Sequence, residues 1–260
     1  MTELNGQPAG IRELTALAMI NYGHFTTMRV EDGRVRGLSL HLDRLIRDCG
    51  VLFGTAPDRD RIRELARRAV ADTTGPLTVR ATVYDPDLGL ERPGAEAEPR
   101  ILVTTRPAAV SSPPPLSVRT APYRRDLPEV KHVGLFGLLR LRRQAQLDGY
   151  DDVLLTDERG AVSEGATWNV GFHDGRRLLW PEAVCLPGVT QELLRRGHGG
   201  PQHTERIDRE RFGSLRVAFA LNAGVGVRAI RSIDGVEFDP EHPVLDLLRK
   251  EYTATEAEPL

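Results

Sequence analysis

Three consecutive prolines, Pro113, Pro114 and Pro115, constrain this chain more than any other local feature. Proline fixes φ near about −65° and offers no N–H, so a triplet cannot sit inside a helix or a paired strand. The run over residues 106–116 therefore reads as a connector. It predicts a first domain over 1–108, a linker over 109–118 and a second domain over 119–260. A length of 260 residues suits two domains of ordinary size.

The bulk numbers exclude several classes. Apolar residues make up 40% and charged residues 28%, as in an ordinary globular protein, and the net charge of −2 advertises no nucleic-acid surface. Cys49 and Cys185 stand far apart and read as two reduced thiols of a cytoplasmic protein. There is no apolar run of membrane-spanning length, no signal-peptide pattern at the N-terminus and no internal repeat. The histidines lack metal-ligand spacing, so no metal is expected, and no G-x-S-x-G anchors a hydrolase. Gly224, Gly226 and Ala229 match a dinucleotide fingerprint. That motif must open a helix, whereas residues 229–238 read as strand and turn.

In the first domain, Asp32-Gly33 between extended runs predicts a hairpin within residues 25–38. Leu42, Leu45, Ile46, Cys49, Leu52 and Phe53 share one helical face. Opposite them, His41, Arg44 and Asp48 read from pattern alone as a solvated face with an Arg44–Asp48 pair. Residues 58–72 form a second helix with Ile62, Leu65, Ala66, Ala69 and Val70 inward and its arginines solvated. Residues 77–84 alternate as a half-buried strand, and 101–105 form another. In the second domain, residues 118–121 read as a strand and 135–147 as a helix closed by Gly149. Hairpins follow over 153–164 and 169–180. Then come a buried strand over 217–222, a hairpin turning at Asp234-Gly235, a short helix over 243–250 and a frayed end over 253–260.

The chemistry-bearing stretch is Glu129 onward. Lys131 precedes the helix. Gly149, Asp151-Asp152, Asp157, Gly160 and Val162-Ser163-Glu164 follow, with Asn169 five residues past the glutamate. Leu186-Pro187-Gly188-Val189-Thr190 comes later. Singly, Lys131 and Glu164 are ordinary surface or capping residues. As a set they resemble the class IV, or fold type IV, pyridoxal-phosphate enzymes: branched-chain and D-amino-acid aminotransferases and aminodeoxychorismate lyase.

The resemblance implies an α+β small domain, a larger pseudo-barrel domain, an active site between them and a homodimer. It implies pyridoxal 5′-phosphate as cofactor, held through a Schiff base on Lys131. An aldehyde cofactor needs such an amine, deprotonated when it reacts. Glu164 would keep the ring nitrogen protonated. Backbone N–H groups at a helix start suit the phosphate, and Gly188, Val189 and Thr190 lead into such a helix. His41-Leu42-x-Arg44-Leu45 matches the family's phosphate-binding arginine motif, and Arg offers a fixed fork of donors. Asn222 and Ala223 occupy a corner that lends the family another phosphate contact, and Asn169 completes the set.

Substrate contacts are expected from Tyr22, Thr27, Arg29, Arg124, Arg125 and Trp168. The implied reaction is amino transfer between an amino acid and a keto acid. Two departures bear on it. Tyr22-Gly23-His24 is shorter than the family's usual segment there. Phe136 stands where many members have a tyrosine that bonds the cofactor's phenolic oxygen. Aminodeoxychorismate lyases also lack that tyrosine and share the Phe25-Thr26-Thr27 start, which keeps a lyase as the alternative, with a non-catalytic cofactor-binding protein as a remote third.

Overall fold

The computed structural model describes residues 1–108 and 113–260, so part of the expected linker, 109–112, lies outside the described residues. The chain divides into two compact units. The first comprises Met1–Ala109, Val130–Gly134 and Glu256–Leu260; the second comprises Val110–Glu129 and Leu135–Thr255.

The first unit opens with β1 (Thr2–Leu4), β2 (Gln7–Pro8) and helix α1 (Ile11–Ile20), none of which the sequence pattern announces. Then come β3 (His24–Val30), β4 (Arg34–Arg36), α2 (Leu38–Phe53), α3 (Arg59–Val70), β5 (Leu77–Tyr84) and β6 (Arg100–Pro107). The sheet runs β2-β1-β6-β5-β3, with every pairing antiparallel. Asp32 and Gly33, at φ 51° and 69°, turn the expected β3–β4 hairpin. Asp58 caps α3 by accepting the Arg61 N–H at 2.6 Å. Leu42, Leu45 and Cys49 of α2 pack with Ile62, Leu65 and Ala66 of α3 against Met28, Val79 and Ala81 of the sheet.

Two expectations change here. β5 is buried on both faces, not one: it is an interior strand between β3 and β6, and Tyr84 on its outer face is covered by Leu4, Leu102 and Leu17. The polar face of α2 is not solvated either, because His41, Arg44 and Asp48 are all buried.

The second unit contains β7 (Leu116–Pro122), α4 (Phe136–Leu147), β8 (Asp152–Thr156), β9 (Val162–Gly165), β10 (Asn169–His173) and β11 (Leu178–Pro181). It continues through α5 (Val189–Gly197), β12 (Gln202–Glu205), α6 (Arg209–Phe212), β13 (Val217–Asn222), β14 (Gly226–Ile233), β15 (Val236–Glu237) and α7 (Pro243–Ala254). Its sheet runs β12-β11-β10-β13-β14-β7-β8-β9, with β15 beside β14. β7 pairs parallel to both β14 and β8, and α4 makes the crossover that a parallel β7–β8 pair requires. Phe172, Phe212, Phe238 and Trp168 fill one core cluster; α5 and α7 cover a second with Leu194, Leu245 and Leu248. Gly224 lies in the β13–β14 turn and Gly226 starts a strand, so the dinucleotide fingerprint has no helix to open.

The C-terminus is not frayed. α7 runs to Ala254, and β16 (Ala257–Pro259) pairs antiparallel with β4. Glu258 accepts from the Ser39 backbone N–H and hydroxyl, and Leu260 is buried in the first unit's core with its N–H on the Gly33 carbonyl at 2.9 Å. A three-residue edge strand ending in proline carries almost no local signal; its stability comes from partners far away in sequence.

Candidate active site

In the first unit the expected residues gather where α2 meets the start of β3. Residues 131–133 pair with residues 23–25: the Phe25 N–H donates to the Lys131 carbonyl and the Val133 N–H to the Gly23 carbonyl, both at 2.9 Å. Lys131 Nζ lies 4.9 Å from the centre of the Phe25 ring, and the Arg80 guanidinium 3.6 Å from the same centre. The Lys131 N–H donates to Asp48 Oδ2 at 2.9 Å. Asp48 Oδ1 accepts from Arg47 Nε at 3.0 Å and Nη2 at 2.6 Å. The buried aspartate thus takes Arg47 and Lys131 as partners, and the surface Arg44–Asp48 pair read from the sequence does not form.

Arg44 is buried, and its Nε has no hydrogen-bond partner among the described residues. Burial pushes its pKa down to about 10, opposed by the Asp48 carboxylate and reinforced by Arg47. A guanidinium held in this way is preorganised for an anion. His41 is buried beside it, with Nδ1 2.7 Å from Thr26 Oγ1. Burial, then the Arg44 and Lys131 charges, push its pKa well below the ordinary histidine value, so the ring is neutral.

In the second unit, Glu164 is the last residue but one of β9 and is buried. Its Oε1 lies 3.7 Å from Arg125 Nη1, and its Oε2 accepts the Leu186 N–H at 3.4 Å. Gly165 is required at the next position, because a β-carbon there would drive into the Trp168 indole. Asn169 donates to the Leu186 carbonyl at 2.8 Å and lies so close to Gly188 that any β-carbon there would collide with it. Asn169 therefore shapes the turn that opens α5. Gly188 caps that helix without a side-chain bond. Thr190 is buried in its first turn, and its hydroxyl has no partner among the described residues. Asn222 Oδ1 accepts the Gly224 and Val225 N–H groups, both at 3.0 Å, and so builds the corner beside Ala223. A cleft of about 520 Å³ is lined by Tyr123, Arg124, Arg125, Ser163, Glu164 and Val184, among others.

The expected substrate residues divide. Arg124 is exposed on the rim of that cleft, whereas Arg125 is buried against Glu164, so the two are not a surface pair. Trp168 is a core residue, its indole N–H on Asp152 Oδ2 at 3.0 Å. Tyr22 is exposed, with its hydroxyl on the Leu52 carbonyl at 3.0 Å. Arg29 pairs with Glu31 at 2.8 Å, and Thr27 is half-buried on β3. Asp48, Thr26 and Cys185 were not anticipated. Cys185 lies between Asn169 and Glu164 electrostatically: burial first, then the Glu164 carboxylate, push its thiol up to about 11. Only the residue preceding Leu186-Pro187-Gly188 could have flagged it, and a lone cysteine carries no pattern.

The residues present fit a phosphate-bearing aldehyde cofactor. In the first unit Arg44 Nε, and in the second unit Thr190 Oγ1, are buried donors without a partner among the described residues, and the glycine at the α5 start leaves its backbone N–H groups uncovered by any side-chain cap. The description of amino-transferase class IV matches residues 23–233. A probable branched-chain-amino-acid aminotransferase of Rickettsia felis is 24% identical, over 95% of this chain and 90% of that one. The crystal structure of a branched-chain aminotransferase of Thermoproteus uzoniensis superposes with a TM-score of 0.85 at 20% identity, covering 97% of this chain and 93% of that one. A putative 4-amino-4-deoxychorismate lyase of Legionella pneumophila gives a TM-score of 0.82 at 22% identity, covering 96% of each. The architecture is that of the fold type IV enzymes. The chain belongs to the class IV aminotransferases, a family of pyridoxal-phosphate-dependent transaminases.

Proposed function

We propose that this chain transfers amino groups between an amino acid and a keto acid, with Lys131 as the residue that binds the cofactor aldehyde and moves the proton. The observation that carries the proposal is that Arg44 Nε and Thr190 Oγ1 are each buried with no partner among the described residues, at positions where the family motif calls for phosphate contacts. When bound, pyridoxal phosphate supplies an electron sink for the bond broken at the substrate α-carbon. The chain's own residues do the rest. Lys131 would hold the cofactor aldehyde through its amine and, when that amine is free, would act as the base that moves the proton of the substrate α-carbon. Glu164, held by Arg125 and the Leu186 N–H, would keep the cofactor's ring nitrogen protonated. Arg44, the backbone N–H groups of Val189 and Thr190, the Thr190 hydroxyl and the corner at Asn222-Ala223 hold the phosphate. Gly188 leaves room for the Asn169 side chain, which fixes the turn.

Arg124, exposed at the rim of the Glu164 cleft, suits a substrate carboxylate. Tyr22, Thr27 and Arg29 remain further substrate candidates. The working form is proposed to be a homodimer, which sedimentation would give as twice the chain mass. The test of function is a panel of amino donors with a keto acid. Amine transfer by the wild type, lost in Lys131→Ala, supports the reading; wild-type protein inert across the panel overturns it.

One observation favours a second reaction at the same residues. Phe136 carries no hydroxyl and is exposed. A lyase acting on aminodeoxychorismate would release pyruvate without any amino acceptor. Pyruvate formed under those conditions would replace the transaminase reading.

A further inference from the structure

We propose that Asp48 is the positioning residue of the lysine: its carboxylate ties the main chain at Lys131 to the same helix that presents Arg44. The proposal rests on the reading of Lys131 as the cofactor-bearing residue.

Asp48 is fully buried. A buried carboxylate is tolerated only when its oxygens are hydrogen-bonded. Here Oδ1 takes two N–H groups of Arg47, and Oδ2 takes the Lys131 N–H at 2.9 Å. The last bond runs from α2 to a segment 83 residues on in sequence. It fixes the backbone at the point from which the long lysine side chain departs. Arg44 stands four residues before Asp48 on α2, on the same face, and the Asp48 charge favours the charged form of that buried guanidinium. One carboxylate therefore acts on both groups, setting the lysine's origin and favouring the arginine's charged form. The flanking bonds, Phe25 N–H to the Lys131 carbonyl and Val133 N–H to the Gly23 carbonyl, hold the segment to β3. The Asp48 bond ties the same segment to α2.

Amide hydrogen exchange, read residue by residue on wild type, Asp48→Ala and Asp48→Asn, tests this alongside steady-state kinetics. In wild type the Lys131 amide is expected to be protected. In Asp48→Ala it is expected to exchange at least about ten times faster, while the Val133 amide changes by less than about threefold. With the lysine's origin loosened, kcat is expected to fall about 10–100-fold and KM for the amino donor to stay within about threefold. Asp48→Asn retains an acceptor oxygen and is expected to restore the Lys131 protection to within about threefold of wild type. An unprotected Lys131 amide in wild type overturns the proposal, and so does an Asp48→Ala protein with wild-type exchange and kcat. If Asp48→Ala does not fold, the wild-type protection and the Asp48→Asn rescue decide the matter. Failure of the underlying reading looks different: no covalent cofactor on wild-type Lys131, with the exchange results unaffected.

Discussion

Arg125 Nη1 lies 3.7 Å from Glu164 Oε1, with both side chains buried. Taking away one member of a buried ion pair leaves the other charge uncompensated. Arg125→Ala is expected to lower the stability of the second unit by about 3 kcal/mol. Arg125→Met, which keeps the stem, is expected to cost less. Denaturant unfolding of both variants checks this; an Arg125→Ala midpoint equal to wild type would show that Glu164 does not depend on its partner.

Thr190 gives a prediction of opposite signs. Its buried hydroxyl has no partner among the described residues, so Thr190→Val should stabilise the cofactor-free protein, by about 1 kcal/mol. The same change should weaken cofactor binding about tenfold, because a bond to a charged phosphate is lost. Thermal melts and a binding titration on one variant read both effects. Equal affinity in the two proteins would remove Thr190 from the phosphate site.

Gly188→Ala is expected to displace Asn169, since the new β-carbon would collide with its side chain. That movement disturbs the N-terminus of α5, where the phosphate is proposed to bind. Cofactor affinity should fall by more than about tenfold with the fold retained. Circular dichroism together with the titration distinguishes this from unfolding.

His24 makes the first unit sensitive to pH. Burial, then the Arg47 charge, push its pKa from 6.5 down to about 4. The unfolded chain therefore binds a proton between these values that the folded ring refuses. The stabilisation is fully present above pH 6.5 and is lost as pH falls towards 4, by on the order of 3 kcal/mol. His41 acts in the same direction. His24→Leu should flatten the stability–pH curve over that window; an unchanged slope would place the titration elsewhere.

Much of the local structure around the candidate site is legible in the sequence because it depends on near neighbours. A lysine before a helix, a glutamate at a strand end and a glycine opening a helix each follow from neighbours in the chain, and the turns at Asp32-Gly33 and Asp234-Gly235 fall where their residues demand. What the pattern misses is made by distant partners. Asp48 reads as a surface residue because periodicity sets it opposite Leu42 and Leu45. It is buried, and it accepts the N–H of Lys131, 83 residues further on. β16 is invisible for the same reason, since Ala257–Pro259 becomes a strand only against β4. Arg124 and Arg125 are adjacent and identical in type, yet only Arg125 meets a buried carboxylate.

The chain contains two lysines, Lys131 and Lys250, and Lys250 is exposed on α7. This makes one measurement decisive. Protein reconstituted with pyridoxal phosphate is reduced with borohydride, digested and mapped by mass spectrometry. The account predicts one cofactor per chain on the peptide bearing Lys131 and none on that bearing Lys250. Label on Lys250 alone, or on neither lysine, would contradict it.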